Sequence, residues 1–530
     1  MHTEKPAAHG GVLIVGGGTA GWLTACFLAK QLGAGRPDGV PVTLVESPEI
    51  GIIGVGEGTF PSIRGTLAAI GIDEARFIQA CSATFKQGIS FRHWVRAPGQ
   101  AGPASYFHPF SQPSQRQGGF ELLPYWLAGD AGAVGNPGFA AAVTMQQRVA
   151  DAAHGPKRVH DPDFLGPLNY AYHFDAARFA ALLAEHGRTL GVRHVLGNVE
   201  RVELDAQGMI GAVHTAEHGA LRAGLYVDCT GFRARLIGEA LGAPFKRLDD
   251  VLFVDRAVTL QVPYATPDAP IPSYTISTAH EAGWTWDIGL QRRRGIGYVY
   301  SSRHTDDARA EQALRGYIGA GADGLEARRL ALQVGYRETQ WVGNCVAVGL
   351  SGGFLEPLES SGIGLIEAAA YLVGFLFPHG GEFAPAARQF NAQMRERYER
   401  IVDFIKLHYC LTQRVDSRFW IDNADPASIP DSLRDRLEQW KTRPPHRLDF
   451  VTDLEMYPPS SWQYVLYGME YATRLHPSAL DPARRAAARQ EFATIAQVAR
   501  KALADLPPHR ALVEHFCNKA ARSGNARHVA

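Results

Sequence analysis

The stretch ATFKQGISF, residues 83–91, sets one charge, Lys86, among Phe85, Ile89 and Phe91, and Trp94 follows. Two chemistries suit such a lysine. A buried stem with its ammonium in water is the structural one, and for a lysine taken alone it is the commoner. The other is an amine taken out of water. It loses affinity for its proton, and a neutral amine is a nucleophile. A second chemistry-bearing spacing lies near the N-terminus. GGGTAG places Gly16, Gly18 and Gly21 as G-x-G-x-x-G, with Thr19 and Ala20 between the last two. Gly16 permits a tight turn, Gly18 lets the backbone approach a pyrophosphate, and Gly21 allows close helix packing. Glu46 closes the next apolar run and is placed to bind ribose hydroxyls. The insertion GAGRPDGVP accounts for its lying somewhat farther on than usual.

These residues need elements to hold them. GVLIVGGG, from Gly11, reads as a buried parallel strand, TAGWLTACFLAKQLGAG as a helix, and VPVTLVES as the next strand, so residues 11–47 form a βαβ unit. Two more strand ends carry glycines: YVDCTGF (226–232), with Asp228 and Gly231, and NCVAVGLSGGFLEPLESSGIG (344–364). Three glycine-marked strand ends suit FAD, whose long body crosses several strands of one sheet, better than a single NAD site. GAGADG (319–324) has no preceding strand, so no second nucleotide site for NAD(P)H is evident. HFDAARFAALLAEHGRTLGV (173–192) is an amphipathic helix, and alternating strands with a DAQG turn follow it. Residues 251–300 are β-rich. From about 361 onward helices dominate, including a long one over ARQFNAQMRERYERIVDFIKLHYCLTQ and another over roughly 480–505, and the tail SGNARHVA is expected to be unstructured.

Composition narrows the function. The 530 residues are enough for a large core, and Lys plus Arg balance Asp plus Glu at 53 each, so nucleic acid and acidic membranes are not the expected partners. Six singly spaced cysteines give no zinc pattern, hence no metal, and read as reduced thiols of a cytoplasmic protein. MHTEKPAAHGG has no apolar signal-peptide core. The most lipid-like run, GIGLIEAAAYLVGFLF (362–377), is too short to span a bilayer and carries Glu367, so it reads as a buried helix.

The pieces GGGTAGW, GVGEGTFPSI (54–63), ATFK, WTWDIGL (284–290), GYVYSS (297–302) and EPLESSGI (356–363) together resemble the flavin-dependent tryptophan halogenase family, from the first strand to the region of Trp462. The resemblance implies an α/β, flavin-monooxygenase-like FAD-binding fold with a Rossmann-type βαβ unit, a β-rich substrate-side sheet and a helical C-terminal part. The approximate division is 1–360 and 361–530. It implies a reaction in which reduced FAD and oxygen give a flavin C4a-hydroperoxide, halide takes its distal oxygen, and the hypohalous acid reaches Lys86. Glu359 matches the carboxylate that orients the halogen donor or accepts the ring proton. A helix N-terminal acid is its bland reading, and both can hold. Ser360 matches a substrate contact, and Ser361 and Gly362 the halide-binding backbone, with Ser361 where the family often has Thr. Gly353 and Ile363 join the GxGxxG residues as flavin contacts. His108, Phe110 and Trp462 match ring-stacking residues that fix which arene carbon faces the lysine.

Two departures bear on function. WTWDIG keeps Trp284, Trp286 and Ile288 of a WxWxIP motif associated with suppressing monooxygenation, but has Gly289 for the proline. The Glu and Tyr that grip a free amino acid's backbone are not matched at their usual spacing before Trp462, although Glu455 and Tyr457 lie nearby. The expected substrate is therefore an electron-rich, indole-type arene, free or carrier-bound, with chloride or bromide as co-substrate. A separate NAD(P)H-dependent flavin reductase is the expected partner, and a homodimer is compatible. The competing functions are an aromatic monooxygenase, which needs neither halide nor lysine, and a non-catalytic flavin-binding homologue, which has no need of Lys86 or Glu359.

Overall fold

The computed structural model describes residues 10–51, 56–103, 105–114, 120–450 and 455–527. Gly54 and Val55 of the GVGEGTFPSI stretch lie outside these residues. The strand Val12–Val15, buried at every position, runs parallel to Val42–Glu46 on one side and Leu225–Asp228 on the other. Arg193–Leu196, Cys345–Ala347 and the antiparallel edge Trp341–Val342 complete a six-stranded sheet. The helix Thr19–Leu32 joins the first two strands, as the βαβ reading requires, and ends on Gly33 in the left-handed conformation. The predicted DAQG turn joins the antiparallel strands Val199–Leu204 and Ile210–Thr215.

A second, seven-stranded sheet includes Arg256–Pro263, Thr275–Ala279, Gly283–Gly289, Arg293–Tyr300, Gly88–Arg92 and Ser105–Pro109. Its strands come from both sides of the Rossmann-type crossovers. A small antiparallel sheet, Gly56–Gly58, Ala171–Asp175 and Thr84–Lys86, is the third layer that matters for the site. The long helix runs over Phe383–Cys410, a few residues earlier at each end than expected, and the later helices include Pro459–Gly468, Arg485–Asp505 and His509–Arg527. The last of these continues through Arg527, five residues into the tail expected to be unstructured.

The helix Ser361–Phe375 corrects one expectation. It is not buried all round: Tyr371 and Phe375 stand 55% and 63% exposed and stack on each other, at the margin of the contact with Thr19–Leu32, where Tyr371 also meets Phe27. Among the described residues no helix is long and apolar enough to cross a membrane, no cluster of ligands could hold a metal ion, and all six cysteines are unpaired.

Candidate active site

Lys86 ends its short strand opposite Ala171. The strand's outer edge is closed by a side chain from the far end of the protein. The Phe85 amide donates to His509 Nε2 at 3.1 Å, and His509 Nδ1 donates to the Ile271 carbonyl at 2.8 Å. Burial holds the His509 pKa down at about 4, so the ring stays neutral and can accept. Lys86 itself has no exposed surface. Its Nζ donates to Ser360 Oγ at 2.7 Å and to the Thr59 carbonyl at 3.2 Å, and lies 5.2 Å from the centre of the Phe110 ring. A snorkelling lysine is therefore ruled out. Burial lowers its pKa to about 7, against the upward pull of Glu359. Gly58 clears the space: a Cβ there would stand 2.9 Å from Ser360 Oγ and 3.3 Å from Lys86 Nζ.

Glu359 ends the turn Pro357–Glu359 and is also fully buried. His108 Nδ1 faces both its oxygens, at 2.9 and 3.0 Å, and His408 Nε2 faces Oε1 at 2.9 Å. Burial pushes the carboxyl pKa up, but the two histidines outweigh burial and hold it at about 2. Ser360 follows in the left-handed region, φ 59°, an uncommon conformation for a residue with a Cβ, and one that turns its hydroxyl to Lys86. Tyr457 donates its hydroxyl to the Glu359 carbonyl at 3.2 Å.

The expected aromatic residues are close to this pair but not arranged as parallel plates. His108 and Phe110 meet edge-on, with centroids 6.4 Å apart, and both ring nitrogens of His108 are engaged, Nε2 with Ser461 Oγ at 2.9 Å. Trp462 is one ring farther out: Phe404 stands between, 5.9 Å from His108 and 4.9 Å from Trp462. Trp284 and Trp286 are buried on the strand Gly283–Gly289. Trp284 Nε1 donates to Glu356 Oε2 at 2.8 Å, which ties the WTWDIG motif to EPLES. Ile288 sits against Gly56. At Gly289 an added Cβ would come within 2.8 Å of Ile271 and 2.9 Å of the Tyr264 hydroxyl, so the local packing is built for glycine. The Gly289 carbonyl accepts from Thr84 Oγ1 at 2.6 Å, two residues before Lys86.

At the other end the glycines divide their work. Gly16 has φ 115°, and a Cβ there would strike the Cys229 carbonyl at 2.2 Å. One on Gly21 would strike the Gly16 carbonyl at 1.8 Å, and one on Gly17 would overlap the Glu46 carboxylate at 1.5 Å. Gly18 alone in this run faces open space, at the start of a helix with no side-chain cap. Thr19 and Ala20 form that helix's half-buried first turn. Glu46 accepts from His194 Nε2 at 2.7 Å. Asp228 braces its own loop, accepting from the amides of Thr230, Leu236 and Ile237. Gly353 packs its backbone on Tyr336, and Ile363 is buried. Ser361 and Gly362 start the helix Ser361–Phe375, which also lacks a side-chain cap, and Gly362 borders open space. Open, uncapped helix starts beside crowded glycines fit a flavin dinucleotide and a small anion.

Sequence reasoning missed His408, Phe404, Thr59 and His509. Phe404 and His408 share a helix face at i, i+4 spacing, but one histidine on a 28-residue helix makes no motif.

The family model described as tryptophan halogenase matches residues 11–485. Tryptophan 6-halogenase SttH of Streptomyces toxytricini is 39% identical over 96% of this chain and 98% of its own, and tryptophan 7-halogenase RebH of Lentzea aerocolonigenes is 34% identical over 81% of each. A crystal structure of a tryptophan halogenase from Shewanella frigidimarina superposes with a TM-score of 0.92 at 40% identity, covering 97% of this chain and 98% of that one.

Proposed function

This chain belongs to the tryptophan halogenase family, and from that premise we propose how its own residues pass a halogen to an arene. It is a flavin-dependent halogenase that uses reduced flavin, oxygen and halide on an indole-type substrate, with a separate flavin reductase supplying the reduced cofactor. When bound, reduced flavin supplies the electrons by which oxygen and halide become hypohalous acid. Gly16, Gly18, Thr19, Ala20, Gly21 and Glu46 would hold the dinucleotide, and Gly353 and Ile363 its ring end. The first amides of the helix at Ser361 and Gly362 would hold the halide. Lys86 acts as the neutral amine. Its nitrogen bonds the halogen, the halogen–oxygen bond breaks, and the oxygen leaves as water with a proton from the amine. The arene carbon then takes the halogen, and Glu359 carries the released ring proton back to the amine. A carboxylate held at about 2 is a weak base, which suffices for the strongly acidic carbon–hydrogen bond of a halogenated ring cation.

The observation that carries this reading is a wholly buried Lys86 whose pKa of about 7 leaves much of it neutral near pH 7. An indole-type ring is the recognised feature. The Tyr457 hydroxyl is bonded to the Glu359 carbonyl and is not spare for an amino-acid backbone, whereas Glu455 Oε1, 3.4 Å from Arg400 Nε, is buried without a hydrogen-bond partner.

The test supplies FAD, a flavin reductase, NADH, oxygen and either chloride or bromide, with tryptophan, indole and phenols as acceptors, and reads products by mass spectrometry under a hypohalite scavenger. Halide-dependent halogenation of an indole ring is expected, and Lys86→Ala abolishes it while flavin oxidation continues. Hydroxylated product formed without halide would overturn the reading, and so would a Lys86→Ala protein that halogenates at the wild-type rate.

A further inference from the structure

The hydrogen bonds around His408 fix where its protons are. Its Nδ1 lies 2.8 Å from the carbonyl of Phe404, one helical turn earlier, and a carbonyl only accepts, so Nδ1 carries a proton. Its Nε2 lies 2.9 Å from Glu359 Oε1, and a carboxylate oxygen also only accepts. A bare Nε2 would press two lone pairs together in a site where neither side chain has exposed surface. One further proton must therefore lie between them. His108 Nδ1 already donates into the same carboxylate, and its Nε2 pairs with Ser461 Oγ, which can donate or accept, so His108 does not supply the proton between His408 and Glu359. A buried anion needs a compensating charge, and Lys86 bonds Ser360 and Thr59 instead of Glu359. Accepting two N–H bonds also satisfies the ionised carboxylate better than the neutral acid.

Resting on the halogenase reading above, we propose that His408 is a positioning residue that stands as an imidazolium against Glu359, so that Lys86 faces a neutral carboxylate–imidazolium pair and not a bare anion. The surroundings leave that role to His408. Its ring is otherwise lined by Phe91, Trp94, Tyr106 and Phe404. The Tyr106 and Tyr457 hydroxyls also face the Glu359 charge, but burial and that charge push both well above the ordinary phenol range, so they stay neutral. On its other side Lys86 faces His173, which burial holds well below the ordinary histidine range, so it too stays neutral. With the imidazolium removed, Glu359 would act on Lys86 uncompensated and favour its ammonium form.

His408→Gln keeps an N–H donor for Glu359 and drops the charge. The limb of the halogenation pH–rate profile that reports Lys86 should move up by about one pH unit, cutting kcat at pH 7 by up to about tenfold, with KM for the arene little changed. A purely structural role would lower the rate at all pH values and leave the limb in place. The flavin-free full-length protein gives a second readout. With 15N-labelled histidine, one imidazole should show both ring nitrogens protonated at neutral pH, and that signal should be absent from His408→Gln. This readout does not need the wild type to halogenate anything, and because His194, His214 and His304 also face carboxylates, the signal is assigned by its loss in His408→Gln, or in His408→Asn where the first variant does not fold. A pH limb unmoved in His408→Gln, or no doubly protonated imidazole lost in the variant, overturns the proposal.

Discussion

At the scale of single residues, the site holds an amine at a cost in stability. Lys86 is protonated in the unfolded chain up to its ordinary value of 10.5 and in the folded protein only up to about 7. Between those values the unfolded state binds the extra proton, so stability rises with pH from about 7 to 10.5 and is lowest below 7. Lys86→Met fills the same space without a proton to lose. It is expected to stabilise the protein at pH 7 by roughly 1–3 kcal/mol, with less gain at pH 10, while halogenation is lost. Thermal unfolding at the two pH values measures this, and a variant less stable than wild type at pH 7 would contradict it. Gly58→Ala is the complementary test. Its Cβ would crowd Ser360 Oγ and Lys86 Nζ, and the expected outcome is a drop in kcat of about tenfold or more, read by steady-state kinetics, because misplacing a reacting group is costly.

At the scale of elements, a three-residue strand holds the key lysine, and such a strand needs support on both edges. One edge is the ladder to Ala171–Asp175; the other is the imidazole of His509. His509→Ala leaves the buried Phe85 amide without an acceptor. It should destabilise the protein by about 1–3 kcal/mol and lower halogenation, with flavin affinity unchanged. Its pH dependence has a definite sign. The folded His509 pKa, about 4, is depressed below the ordinary 6.5, so the stability this neutral ring contributes is lost as pH falls from 6.5 towards 4. The wild-type advantage over His509→Ala in unfolding temperature should therefore shrink across that range. Trp284 acts in the same way between motifs, its indole N–H tying the strand Gly283–Gly289 to Glu356.

At the scale of the whole molecule, the glycine-rich end and the lysine end are separate structures and should fail separately. Gly18→Leu, at the one glycine of its run that faces open space, is expected to weaken flavin binding by at least about tenfold with the unfolding temperature unchanged. Gly16→Ala, at φ 115° against the Cys229 carbonyl, should cost about 2–3 kcal/mol of stability. Flavin titration and thermal unfolding distinguish the two. The same division explains what the sequence made legible. The βαβ unit, GxGxxG and Glu46 follow from spacings within about 35 residues, whereas Lys86, a charge in an apolar run, reads alone as a surface lysine and took its role from the resemblance to the halogenase family. The packing partners did not. His509 lies 424 residues from the amide it accepts from, and His408 lies 49 from Glu359, reached only when the long helix crosses the turn at Pro357–Glu359. Local pattern carries no record of such meetings, and the same limit explains why Phe404 was not expected between His108 and Trp462.

Lys86, Glu359, His108 and His408 have no surface in contact with solvent. In the reaction proposed above, an arene reaches Lys86 only when packed walls part, and the same parting is an exit for the oxidant. The tightness of the packing therefore acts as a clock. It sets how long each halogenating equivalent waits for an acceptor before it is lost, and it makes yield per reduced flavin and speed of turnover opposing quantities in this enzyme.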